Sequence, residues 1–95
     1  MPEMRFHIRW PDGEDETCYS PSLVIKEHFS VGETYPLPDF VARSRAALMI
    51  ASERVREKYG MPCSRALGQL ARIETAAQRF DPAANEPVTI IAFEE

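Results

Sequence analysis

The sequence predicts an α+β domain in the order β-β-α-α-α-β, with a three-stranded sheet and helices packed on one face. Three observations carry this. Glu3 to Trp10 alternates apolar and polar residues, Pro38–Tyr59 and Ser64–Phe80 repeat apolar residues at helical spacing, and Val88–Phe93 closes the chain as a short β-branched run. At 95 residues there is room for one domain, 1–95, with one core. The hydrophobic fraction of 44% and charged fraction of 27% belong to a globular chain.

In the first strand Phe6, Ile8 and Trp10 share one face and Arg5, His7 and Arg9 the other. Pro11-Asp12-Gly13 turns the chain, and Glu14 to Ser20 returns as the second strand. Two turns compete. A type I turn with Gly13 in a bulge sets Phe6 opposite Cys18 and turns the thiol inward. A two-residue Asp12-Gly13 turn sets His7 opposite Cys18 on the open face. Both oppose Arg9 to an acid, and the fixed φ of Pro11 favours the bulge.

Ser20-Pro21-Ser22 reads as a helix start, with a short helix through Leu23, Val24 and Phe29. Val31 to Leu37 is a connector punctuated by Gly32 and Pro36. The long helix then begins near Pro38. Phe40, Ala47, Leu48, Ala51, Val55 and Tyr59 form one stripe, while Ala42, Ala46, Met49 and Ile50 form a second. Apolar residues thus cover more than the usual width, so this helix is either central or half of an interface. Gly60 and Pro62 stop it. Ser64 caps the next helix, whose buried stripe is Leu67, Leu70, Ile73, Ala77 and Phe80. Asp81 to Pro87 is a loop, and the final strand, apolar on both faces, is expected beside the first and well covered.

Charge is unevenly spread. Pro38 to Phe80 holds eight Lys/Arg against four Asp/Glu, whereas the rest of the chain holds three against eleven. Solvated helix arginines and acidic loops account for this; a basic helical face for an acidic partner is the alternative. Two cysteines make no disulfide framework, and no apolar run approaches bilayer length, so the expected setting is the cytoplasm with no membrane contact.

Chemistry-bearing residues are sparse. Cys63 precedes a helix N-terminus, where exposed N–H groups favour a thiolate, and is the one candidate catalytic residue. Tyr19 and Tyr35, with Arg43 and Arg45, are candidates for binding a small anion; Tyr59 is a further tyrosine of that kind. His7, Cys18, His28 and Cys63 are zinc-binding types but lack the close pairs zinc needs, so no metal is expected. Gly60-Met61-Pro62-Cys63 between two helices, followed by Arg65 and Arg72, has a helix-turn-helix outline. The negative total charge and the lack of base-reading Asn or Gln near the second helix's start argue against nucleic acid. No G-x-G-x-x-G, P-loop, nucleophile elbow or H-E-x-x-H occurs, so no cofactor and no enzyme class is indicated.

An ordered set of short matches runs along nearly the whole chain: Met1 to Phe6 with Trp10-Pro11-Asp12-Gly13, Cys18-Tyr19-Ser20-Pro21-Ser22, Tyr35-Pro36-Leu37, Arg43-Ser44-Arg45, Ala51-Ser52 with Arg54-Val55, Lys58-Tyr59-Gly60, Cys63-Ser64 and Gln69-Leu70. In this set the chain resembles the small nitrogen-starvation-response proteins of bacterial nitrilase-linked gene clusters. Asp81–Pro87 and the tail match least. The resemblance implies a setting in nitrogen scavenging from nitriles or cyanide, beside a nitrilase, a radical-SAM protein, an acetyltransferase-like protein and a flavin-dependent oxidoreductase. It brings no catalytic residues. The expectation is a non-enzymatic accessory protein that contacts a second copy, as a homodimer, or an enzyme of such a cluster, with Ala42, Ala46, Met49 and Ile50 as the interface.

Overall fold

A computed structural model describes residues 2–95; Met1, the first residue of the resemblance, lies outside the described residues. The alternating segment forms β1 (Met4–Arg9) and its return forms β2 (Asp15–Ser20). Between them Gly13 sits at φ +89°, its N–H bonded to the Trp10 carbonyl, while the Trp10 N–H reaches the Glu14 carbonyl. This is the bulged turn. Arg9 therefore faces Asp15, Phe6 faces Cys18, and the thiol is fully buried.

The chain departs from expectation next. Ser20, Pro21 and Ser22 start no helix, because both serine side chains are spent on the local backbone. Ser20 Oγ donates to the Ser22 carbonyl at 2.8 Å, and Ser22 Oγ accepts from the Val24 N–H at 3.3 Å. Only one turn of helix follows, α1 (Ile25–His28). The connector is also more ordered than its punctuation suggests. Gly32 N–H donates to the Ile90 carbonyl, and Ile90 N–H donates to that of Glu33. These bonds start a fourth strand, β3 (Thr34–Pro36).

Two helices follow, α2 (Leu37–Tyr59) and α3 (Ser64–Ala77). Gly60, at φ +85°, ends α2 with its N–H on the Arg56 carbonyl. Ser64 is the first residue of α3 and Cys63 holds the cap position, with no side-chain cap bond. This helix ends at Ala77 rather than Phe80, as Thr75 to Phe80 tighten into successive i→i+3 bonds. A 3₁₀ turn at Pro82–Ala84 leads to β4 (Pro87–Glu94).

The sheet is fully antiparallel with four strands in the order β2-β1-β4-β3, not three, and the element order is β-β-α-β-α-α-β. As expected, β4 lies beside β1, with a bulge opposite His7 and Ile8. Only Val88 and Ile90 of β4 are buried; Ala92, opposite His7, is half-buried on the open face, Ile91 is the extra residue of the bulge, and Phe93, opposite Phe6, packs half-buried against the edge of the core. The core fills the space between the inner sheet face and α2. Phe6, Phe29, Phe40, Trp10 and Phe80 form a chain of ring contacts with centroids 5.4–6.2 Å apart, tying β1 and the turn after it to the residue after α1, to α2 and to the turn that follows α3. Edge strand β2 is protected by α3, since the Tyr19 N–H donates to Gln69 Oε1 at 2.9 Å.

Candidate functional site

Helix α2 rises from Pro36, the residue before its first position, which fixes an extended entry, and its first turn carries Pro38 where no N–H partner is needed. One side is wholly used: Leu37, Phe40, Ser44, Ala47, Leu48, Ala51 and Ser52 are buried. The side toward α3 is marked by Arg45, paired with Glu74, and by Ser52, whose Oγ accepts from the Cys63 N–H at 3.3 Å. The opposite flank is marked by Arg43, whose Nη1 donates to the His28 carbonyl at 2.9 Å, and by Arg54, which donates to Ser22 Oγ at 3.0 Å.

Between these flanks the outward face carries Ala42 and Ala46, both exposed, with Met49 50% and Ile50 40% exposed. The four interface candidates thus form one contiguous apolar strip. Pro38, Val41, Ala42, Ala46 and Met49, with Arg45, line a shallow groove along it. Sharing Pro38 and Val41, a second cleft of about 420 Å³ opens toward the end of α3, walled by Leu37, Ala77, Phe80 and Pro82 with Glu74 and Gln78 at its edge. A second exposed group stands at the tip of the helical pair: Tyr59 62%, Met61 72% and Leu67 38%. Tyr59 and Leu67 therefore leave their expected buried stripes, because α2 buries nothing after Ser52 and the hairpin overhangs the sheet.

The basic excess of the helices is consumed internally. Arg43 pairs with Asp39, Arg45 with Glu74 and Arg56 with Glu53. Four more reach carboxylates outside α2 and α3: Arg54 to Glu27, Arg65 to Glu3, Arg72 to Glu16, and Arg79 to Asp12 and Glu14. Hydrogen bonding to Arg56 holds the Glu53 carboxyl below its ordinary range, and Arg9 does the same to Asp15. Each exposed pair is worth little in stability. Together they set a carboxylate beside seven of the arginines between Pro38 and Phe80.

The anion-binding candidates do not converge. Tyr19 and Tyr35 lie on β2 and β3, the opposite edges of the sheet. Arg43 stacks 4.9 Å from the Tyr35 ring and is tied to Asp39 and His28, while the Tyr35 hydroxyl accepts from the Ser30 N–H. Arg65 covers Tyr19 at 3.9 Å, and burial is the first cause raising that phenol's pKa, followed by its bond to Glu3. Cys63 is half-buried and lines none of the clefts described above. Burial drives the Cys18 pKa far up, which suits a core residue rather than a nucleophile. Among the described residues no group of three His, Cys, Asp or Glu is placed to hold a metal.

One arrangement was not anticipated. On the open sheet face Thr17 Oγ1 lies 3.0 Å from His7 Nδ1, and His7 Nε2 lies 2.7 Å from Glu94 Oε1. The bulged register already implied the His7–Thr17 pairing; the position of Glu94 required the β4 bulge. The order of groups matches a hydroxyl–imidazole–carboxylate relay. However, it sits on a flat, open surface, and the N–H groups of β1 are committed to two neighbouring strands. It acts as a cross-strand clasp.

Among known proteins, a family described as "Nitrogen starvation-induced protein NitG" matches residues 5–93. No curated relative and no solved structure matches the chain.

Proposed function

Since the chain belongs to the nitrogen starvation-induced NitG family, we propose that it serves the nitrogen-starvation response as a non-enzymatic accessory protein, acting by protein contact through the outer face of α2. Its partners are a second copy or an enzyme of a nitrilase-linked cluster. The observation that carries this reading is the strip Ala42, Ala46, Met49 and Ile50. It is apolar, exposed, continuous with a cleft, and bordered by charges already paired within the chain. Large apolar side chains half-exposed on one helix face are the mark of an interaction surface. The alternative, a small enzyme or ligand carrier using Cys63 with a tyrosine and an arginine, draws on Cys63 lying near Tyr19 under Arg65; the clefts described above lie elsewhere, which favours the contact reading.

The test is capture from nitrogen-starved cells with the wild-type chain and with Ala46→Glu as baits. The reading expects a defined protein, either the chain itself or another, that the wild type retains and the variant loses. Equal capture by both would refute it. Iodoacetamide labelling tests the catalytic alternative: Cys63 modification that rises only above about pH 8 marks an ordinary thiol.

A further inference from the structure

The outer strip of α2 is divided along its length. Its first half presents the small residues Ala42 and Ala46, and its second half the bulky Met49 and Ile50. Resting on the contact reading above, we propose that the occupant of this face is a second copy of the chain, with the two α2 helices packed antiparallel about a two-fold axis between Ala46 and Met49.

The pattern is self-complementary in that one arrangement. A two-fold axis across paired helices reverses their direction, so the small half of each meets the bulky half of the other. Met49 then enters the space above the Ala46 of the second copy. A parallel pair would stack Met49 on Met49 and leave a void at Ala46. Ala42 and Ala46 are one turn apart, which permits an interaxial distance at the short end of the usual ~8–10 Å range.

A second, independent match follows from the same symmetry operation. Such an axis brings the α3 side of one α2 against the α3 side of the other. The Arg45–Glu74 pair and the Ser52–Cys63 bond mark that side, on which Val41 and Tyr59 also lie at helical spacing. With the axis between residues 46 and 49, Tyr59 aligns with the start of the other α2. There the apolar cleft of Leu37, Val41, Ala77 and Phe80 opens. The most exposed aromatic ring thus comes to an apolar cleft of ring-accommodating size, once at each end of the pair.

One helix face and one tyrosine per copy bury an area near the lower limit of specific interfaces, roughly 1,200 Å² in total. The dimer is therefore expected to be concentration-dependent, with a dissociation constant on the order of micromolar.

Analytical ultracentrifugation from about 1 to about 500 μM tests it. The wild type should pass from monomer to dimer mass. Ala46→Glu should raise the dissociation constant at least tenfold, with an unchanged circular dichroism spectrum, and Tyr59→Ala should raise it severalfold. Direction is read by disulfide trapping in a Cys63→Ser background. Mixed Ala42→Cys and Glu53→Cys chains should cross-link to each other, and neither should cross-link to itself. Self-linking of Ala42→Cys would show a parallel pair and overturn the proposal, as would a dimer indifferent to Ala46→Glu. A wild type monomeric throughout, whose capture of another protein Ala46→Glu still abolishes, overturns the second copy but leaves the contact reading standing. A monomer whose capture is unaffected by the variant overturns both.

Discussion

Alkaline pH should destabilise this fold through a single thiol. Cys18 is fully buried opposite Phe6, and burial raises its pKa from an ordinary 9.0, with the nearby Glu16 charge adding to the effect. The folded chain therefore keeps the proton where the unfolded chain releases it. With the folded pKa raised, the contribution to stability is complete below the unfolded value and is lost as pH rises above it. At about pH 10, one unit above the ordinary value, the unfolded thiol is roughly ten-elevenths ionised, and the loss is about 1.4 kcal/mol.

Urea denaturation followed by the emission of Trp10, the single tryptophan, gives this directly, under reducing conditions from about pH 7 to about pH 10. Cys18→Ala should be less stable at neutral pH by about 1 kcal/mol through the lost packing. Its pH curve should then close on that of the wild type as pH rises and meet it by about pH 10, since the titrations of all other groups are common to both. Parallel curves would refute the reasoning. They would mean a thiol equally free to ionise in both states, which is the outcome of the two-residue turn that sets Cys18 beside His7.

Acid should act in the opposite sense. The folded-state pKa values of Asp15 and Glu53 lie below their ordinary 3.8 and 4.5, so the stability they add is present above those values and is lost as pH falls through and below them. Melting temperature should fall over that window, more shallowly in Asp15→Asn. Leu48→Ala should cost about 2–5 kcal/mol in denaturant unfolding, because Leu48 is fully buried. Its half-exposed neighbour Met49→Ala should change stability by less than about 0.5 kcal/mol when measured at dilute, monomeric concentration. Gly13→Ala should cost about 1 kcal/mol although nothing crowds the new methyl, since φ +89° is strained for any other residue.

Much of the fold was legible in short-range patterns. Alternation located β1, the proline before Asp12-Gly13 selected the bulged hairpin, and helical spacing located α2 and α3 to within a few residues. The fourth strand was hidden because Thr34-Tyr35-Pro36 is too short to alternate, and its pairing depends on β4, more than fifty residues away. Ser20 and Ser22 misled for a related reason: a serine beside a proline serves equally in a cap or in a serine turn, and only the buried surroundings select between them. The exposed apolar strip was legible as excess apolar width on one helix. Its neighbouring cleft was not, because it needs the end of α3 and Pro82 brought against the start of α2.

Charge shows most clearly what a linear reading misses. Along the chain, the helical region looks basic and the remainder acidic, which suggests a cationic face. Folding places the hairpin acids Asp12, Glu14 and Glu16 under the far end of α3, and Arg72 and Arg79 meet them there. The surface left beside Ala42 and Met49 has its arginines already engaged. The contact proposed for this face would then rest on shape and apolar burial, with little electrostatic steering. It follows that association through α2 should be nearly indifferent to salt between about 50 and about 500 mM, since internal pairs release no counterions on contact. Sedimentation at the two ionic strengths separates the cases. A steep weakening with salt would show that unpaired charge carries the contact, and a polyanion would then fit the face better than another protein.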